Sequence, residues 1–530
     1  MWRRILLPLL AGLGLFVSLS SWAMSSPVGS APDDTYHLRT IWCSWDEHDS
    51  CEQASNGSFM VPQSIGETCL IQKSARSAAC TYLQTDELTV APHLALVESN
   101  EERATDVPSQ LTGNAVFHRV LRVFVGPDAG FSALLMRFVN IFIASLLFAW
   151  GLLVSRPGAR RALALAWLVA SVPVGMFIMS STNPSSWAIA GVGTYWAFLM
   201  AVLQPRRDVT YARGFAIAGL LLSAAVAVGS RADTLVFLGG STVAVVLLNW
   251  KSLRFRRVAL VGLGLIAVAI AVLTTVTDIG DRLGAVFRTF TSSQENAGTT
   301  DVLGPDKTVN HLVEMPSFVW AFVGGQAPTY GFPTAYLRGL SWLDVGVPSI
   351  VGILMTVAVI AVMTWGLGSY NIRKISALVF AMFVLGAAIL VPLEGTNYGS
   401  EVNLQPRYFL PMLYVIVGLA ALRSWSSGKP RIAVLTIVVG STVVANAAAQ
   451  LAFLHRFTNG ETLPWMQLDL KPSWWWLNFP FPPNATWLIG VFVFLWFGVI
   501  VALISRVRTE RFHRESSQQS IEGFEADHVR

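Results

Sequence analysis

The chain has 530 residues, of which 53% are hydrophobic and only 13% charged, with a mean hydropathy of +0.53. That balance excludes an ordinary soluble protein. The formal net charge is +5, but the Lys and Arg residues fall between apolar runs and form no stripe or basic domain, so they orient the chain in a membrane rather than bind nucleic acid.

Apolar runs of about 18 to 22 residues, long enough to cross a hydrocarbon core of roughly 30 Å, recur along the whole length. About twelve are predicted as transmembrane helices, at 4–24, 132–154, 162–179, 187–204, 213–229, 234–250, 258–275, 345–366, 375–392, 408–422, 432–454 and 485–505. The first run is long for a signal segment and is read as a retained helix rather than a cleaved peptide. The expected fold class is therefore an all-α polytopic integral membrane protein.

The connecting loops alternate in sign. Arg156, Arg160 and Arg161; Arg206, Arg207 and Arg213; Lys251, Arg254, Arg256 and Arg257; Arg373 and Lys374; Arg423, Lys429 and Arg431; and the tail 506–530 all fall on one side. The positive-inside bias makes that side the cytoplasm, with both termini there, in a plasma (inner) membrane. The long loops 25–131, 276–344 and 455–484 then face outward, separated by helix blocks 132–275 and 345–505. Loop 455–484 is Trp-rich, as suits a headgroup-level anchor or a platform for a lipid chain or sugar.

All four cysteines, Cys43, Cys51, Cys69 and Cys80, lie in the first outer loop. An even number confined to an exported segment reads as a disulfide framework, and short loop closure favours Cys43 with Cys51 and Cys69 with Cys80. The same loop carries Pro32-Asp33-Asp34-Thr35-Tyr36-His37 shortly after the first helix. Two adjacent carboxylates at a membrane face suit general-base work, one taking a proton and the other orienting it; the plain structural alternative is an Asp opening a short helix.

Three further groups sit at outer turns. Gln405-Pro406-Arg407-Tyr408-Phe409-Leu410-Pro411 places Arg407 at the bilayer edge, where a planar guanidinium binds phosphate oxygens in pairs; otherwise it is a snorkelling arginine with Tyr408 as a belt aromatic. Asn183-Pro184-Ser185 reads as a turn. Arg231 and Asp233 read as a local ion pair or as part of a substrate cavity. The histidines show no metal-ligand spacing, no nucleotide fingerprint is present, and neither metal nor cofactor is expected.

The segment from Pro32 to His37 resembles the Pro-Asp-Glu-x-x-His signature of the bacterial polytopic family called domain of unknown function 2142. Asn183-Pro184-Ser185 and the Gln405 to Pro411 run resemble that family's Asn-Pro-Ser and Gln-Gly-Arg-Tyr-Phe-Leu-Pro elements, with Asp34 in place of Glu and Pro406 in place of Gly. That family is in turn similar to GT-C type membrane glycosyltransferases. The resemblance implies a GT-C-like fold and transfer of a sugar from a polyprenyl phosphate donor to an envelope glycan or lipid acceptor outside. Carried over, Asp33 is the base and Asp34 its partner. Arg407 is the phosphate ligand, helped by Arg231 or Arg338, and His37, Asn183 and Tyr408 line the substrate. The rival readings are a transporter or lipid flippase, and a non-catalytic envelope assembly protein.

Overall fold

The computed structural model describes residues 2–31, 34–44, 60–62, 88–90, 115–171, 173–205, 212–231, 233–250, 337–340, 345–395, 406–423, 430–458, 468 and 481–506. In chain order the helices are α1 (Trp2–Met24), α2 (Asp34–Trp42), α3 (Ala115–Arg122), α4 (Ala129–Val154), α5 (Pro157–Ala170), α6 (Pro173–Met179), α7 (Ser185–Leu203), α8 (Ala212–Ser230) and α9 (Thr234–Asn249). They continue with α10 (Ser349–Leu367), α11 (Ile372–Gly395), α12 (Leu410–Ala421), α13 (Ile432–Thr458) and α14 (Pro483–Arg506). A 3-10 turn, Pro406–Tyr408, leads into α12.

Eight of these helices are long and apolar enough to cross a membrane, or nine if the α5–α6 pair, bent by 96° at its break, is one span. The described residues thus hold eight, or nine, of about twelve expected spans. The run at 234–250 forms a helix of 16 residues and that at 408–422 one of 12, about 24 Å and 18 Å long at 1.5 Å per residue, short of a hydrocarbon core of roughly 30 Å. The run at 162–179 is broken at Pro173, whose ring cannot continue the preceding helix. The run at 258–275 lies outside the described residues, as do most of loop 276–344, most of the Trp-rich loop and the tail after Arg506.

The chain is also not purely helical. Strand β1 (Met60–Pro62) pairs antiparallel with β2 (Leu88–Val90), and β3 (Leu337–Leu340) with β4 (Val345–Val347). The first ladder lies in a predicted outer loop; the second reaches into the run expected at 345–366, and its Leu340, Val345 and Val347 are buried in the core.

The centre of the bundle is built from α5, α7 and α12. Every residue of α12 and every residue of α7 up to Val202 is buried. Around them α1 packs against α4 and α14, α8 against α7, α9 against α11, and α10 against α13. The outer helices expose apolar side chains, such as Phe383 at 68% and Phe492 at 65%. Exposed apolar faces on long helices are what a lipid environment selects. At one end, basic side chains close the helices: Arg160 Nε donates to the Leu152 carbonyl at 2.6 Å, and Arg156 donates twice to Pro205 at 3.0 and 3.2 Å. Cations there complement the negative ends of α4 and α7.

One close helix approach depends on Gly191. A Cβ at that position would stand 2.6 Å from the Ser223 carbonyl oxygen and 2.7 Å from the Ala227 nitrogen, both backbone atoms of α8. Helix propensity alone favours Gly191→Ala by about 1 kcal/mol. Overpacking costs about 1–3 kcal/mol and dominates here, so Gly191→Ala lowers the thermal midpoint of the purified protein; an unchanged or raised midpoint contradicts this packing.

Candidate functional site

The end of the bundle opposite the basic side chains gathers most of the motif residues. Helix α1 ends at Met24, and the chain turns through Gly29, whose φ of 80° is left-handed and suits glycine. It then enters α2 at Asp34, whose carboxylate sits favourably in the first helical turn. Asp33 lies immediately before α2, outside the described residues.

Asp34 is fully buried and committed. Its Oδ2 accepts from the Gly29 N–H at 3.2 Å and lies 3.4 Å from Arg137 Nη2, and its Oδ1 accepts from the Thr182 hydroxyl. Burial raises the Asp34 carboxyl above its ordinary range, while Arg137 and the Gly29 N–H pull the other way. Arg137, on α4 and also fully buried, donates further to the carbonyls of Ala23 at 3.1 Å, of Pro27 at 2.8 Å and of Ser26. One guanidinium therefore ties the end of α1 to the start of α2.

His37 stands one turn along α2 from Asp34. Its Nδ1 lies 3.2 Å from Nε2 of His118 on α3, so one ring donates to the other. Helix α3 buries Phe117, His118 and Leu121 and exposes Val116 and Val120, the one-sided pattern of a helix lying on a surface. Burial first, and then the charges of Arg407 and Arg231, push the His37 imidazole down to about 3. It is neutral at physiological pH.

Around His37 the cations converge on Tyr408. The Arg231 guanidinium lies 4.5 Å and that of Arg407 5.0 Å from the Tyr408 ring centre, and Arg407 Nη2 donates to the Tyr408 hydroxyl at 3.1 Å. Arg407 is 2% exposed. Arg231 also grips both carboxylate oxygens of Asp233 and donates to Ser185 Oγ at 3.0 Å. The ion-pair reading of Arg231 and its place in the cluster thus hold together.

The other motif residues fall in different roles. Asn183 Oδ1 accepts from the Ser185 N–H at 2.9 Å and so builds the turn that starts α7. Arg338 lies in β3 opposite Gly346, and β3 touches α6, which also touches the Pro406–Tyr408 turn. Cys43 is buried just after α2; Cys51, Cys69 and Cys80 lie outside the described residues, so both predicted pairings do too. Among the described residues no three His, Cys, Asp or Glu side chains group as a metal site.

Arg137, His118, Thr182 and Asn140 were not expected. Asn140 Nδ2 donates to the Ser181 carbonyl at 2.8 Å and its Oδ1 accepts from Trp187 Nε1 at 2.8 Å. A lone arginine inside a predicted span was a legible signal for Arg137. His118 was legible only through the spacing of Phe117, His118 and Leu121.

The His37 environment predicts a pH effect. The unfolded chain binds a proton below the ordinary histidine value of 6.5 that the folded chain refuses until about 3. Stability from neutral His37 is complete above that upper value and is lost as pH falls toward the lower one, with a slope of up to about 1.4 kcal/mol per pH unit. Chemical unfolding at a series of pH values should show this slope in the wild type and a weaker one in His37→Gln; equal slopes refute the assignment.

No curated protein and no solved structure matches the chain. A model of the family described as predicted membrane protein (DUF2142) matches residues 16–417, a stretch that runs from α1 into α12 and takes in α2, the Asn183 turn, Arg231 and the Arg407–Tyr408 turn. The chain belongs to the DUF2142 family of membrane proteins.

Proposed function

We propose that the protein is a membrane glycosyltransferase that moves a sugar from a polyprenyl phosphate donor to a hydroxyl of an envelope glycan or lipid acceptor on the extracytoplasmic face. The observation that carries this reading is the convergence of Arg231, Arg407, Tyr408 and His37 on one end of the bundle, beside the helix that Asp33 immediately precedes. The planar donor fork of Arg407, flanked by Arg231, whose own fork is held by Asp233, and by an imidazole held neutral, suits a phosphate dianion.

In the proposed reaction the acceptor hydroxyl oxygen attacks the anomeric carbon, and the bond from that carbon to the phosphate oxygen breaks. The phosphate, still esterified to the polyprenyl chain, leaves with the electron pair on its oxygen. The hydroxyl proton passes to Asp33. That role falls to Asp33 because the Asp34 carboxylate is already occupied by Arg137, Thr182 and Gly29. Asp34 serves as a positioning residue. Arg407 and Arg231 offset the charge that grows on the departing phosphate, an effect that gains weight where water is excluded.

One observation favours the rival transporter reading. The break between α5 and α6, together with buried Arg137, Asn140, Asn446 and Gln450 inside spans, gives more discontinuity and polarity than the sequence suggested, and transporters use such features. The two readings part on chemistry: only the transferase cleaves the donor.

Purified protein is incubated with a panel of polyprenyl phosphate sugars and envelope glycans, and released polyprenyl phosphate is measured. The wild type should release it. Asp33→Asn should lower the rate about 10²- to 10⁴-fold, and Arg407→Lys, which keeps charge but loses the fork, should lower it clearly at unchanged expression. Full activity in Asp33→Asn removes the general-base mechanism. Donor moved across liposomes without cleavage selects the transporter.

A further inference from the structure

The opposite end of the bundle holds a second cluster of cations that the proposed reaction does not use. The guanidinium of Arg161, on α5, stands 5.9 Å from the centre of the Trp365 ring, and that of Arg423, just past α12, stands 5.3 Å from the same ring. Arg423 Nη1 donates to the Trp365 carbonyl at 3.0 Å. Lys374, on α11, donates to the carbonyls of Gly366 at 2.8 Å and Leu422 at 2.6 Å. Four helices thus bring one aromatic ring and three cations to one place.

Helix capping explains part of this arrangement. The carbonyls belong to the last turns of α10 and α12, where the helix ends are negative. It does not explain all of it. Arg423 Nε and Trp365 Nε1 are buried N–H donors without a hydrogen-bond partner, a costly condition. The ion pairs among the described residues are Arg137 with Asp34 and Arg231 with Asp233, so no carboxylate there neutralises Lys374 or Arg423. Arg161 and Lys374 are almost fully buried, at 3% and 2% exposure. Unsatisfied donors and unmatched positive charge together call for an anion with several oxygen acceptors.

The surroundings narrow its source. The turn after α10 exposes Tyr370 at 76% and Ile372 at 77%, an aromatic and an apolar side chain beside the cluster, as at the level where headgroups meet acyl chains. A phosphate matches the guanidinium fork, and anionic headgroups collect in basic pockets between helices. We propose that Arg161, Trp365, Lys374 and Arg423 form a binding site for a phosphate group, supplied by the headgroup of an anionic membrane phospholipid rather than by dissolved phosphate.

The test uses the full-length protein in phosphatidylcholine nanodiscs with and without phosphatidylglycerol, reading the thermal midpoint. Phosphatidylglycerol should raise the midpoint of the wild type by several degrees, and Arg161→Gln and Arg423→Gln should each lose more than half of that increment. Arg423→Lys should keep part of it. Should Arg423→Gln fail to fold, Arg161→Gln and Trp365→Phe, which keeps a ring but deletes the N–H, carry the comparison. Equal wild-type midpoints in the two nanodiscs, or a full increment in the Gln variants, overturn the site. Inorganic phosphate giving the full increment in phosphatidylcholine alone overturns the lipid as its source. None of these residues belongs to the Arg407 end, so failure here is distinguishable from failure of the proposed transferase.

Discussion

A fully buried guanidinium is costly unless it is paired and hydrogen-bonded, and Arg137, engaged through both Nη groups, sets that condition at the motif-bearing end of the bundle. It takes the carbonyls of Ala23, Ser26 and Pro27 and the carboxylate of Asp34. The end of α1, the Gly29 turn, the start of α2 and the middle of the first half of α4 therefore cannot shift independently. Thr182 extends the same network to the turn before α7. His37, one turn further along α2, is held by this anchored segment where the charges of Arg231 and Arg407 are felt.

Charge is distributed over the bundle in two different ways. At the α2 end, Arg231 and Arg407 meet the Tyr408 ring, and Arg137 meets a carboxylate and the carbonyls at the end of α1. At the other end, most basic side chains answer helix C-terminal carbonyls, with Arg160 closing α4 and Lys374 joining α10 to α12. The loop basicity that orients a membrane protein is here also a set of helix caps. One residue class thus serves insertion and packing together.

Much of the architecture was legible because a span announces itself by a long apolar run. The ends of α1, α4, α7, α8, α10, α13 and α14 fall within a few residues of the expected runs. Where the reading failed, hydropathy was blind to the cause. The run at 408–422 is apolar because protein surrounds it on all sides, and its helix, α12, is only 12 residues long. The run at 162–179 carries Pro173, a breaker that an average over the window hides. Of the motif residues, Arg231 and Arg407 meet at the Tyr408 ring, and their charges act on His37. Asn183 proved to be turn chemistry, as Asn-Pro commonly is. The partner of Asp34 is not legible, because Arg137 is more than a hundred residues away along the chain. No sequence pattern states such a contact.

If Arg137 and Asp34 organise this end as a pair, their substitutions are strongly non-additive. The direct measurement is a double-mutant cycle in unfolding free energy with Asp34→Asn, Arg137→Met and the double variant. Each single change leaves one buried group without its partner and should cost about 3–5 kcal/mol. The double variant should cost less than the sum, by a coupling of about 1–3 kcal/mol. Additive losses would contradict the account and reduce the contact to two neighbours that each satisfy their own carbonyls and hydroxyls.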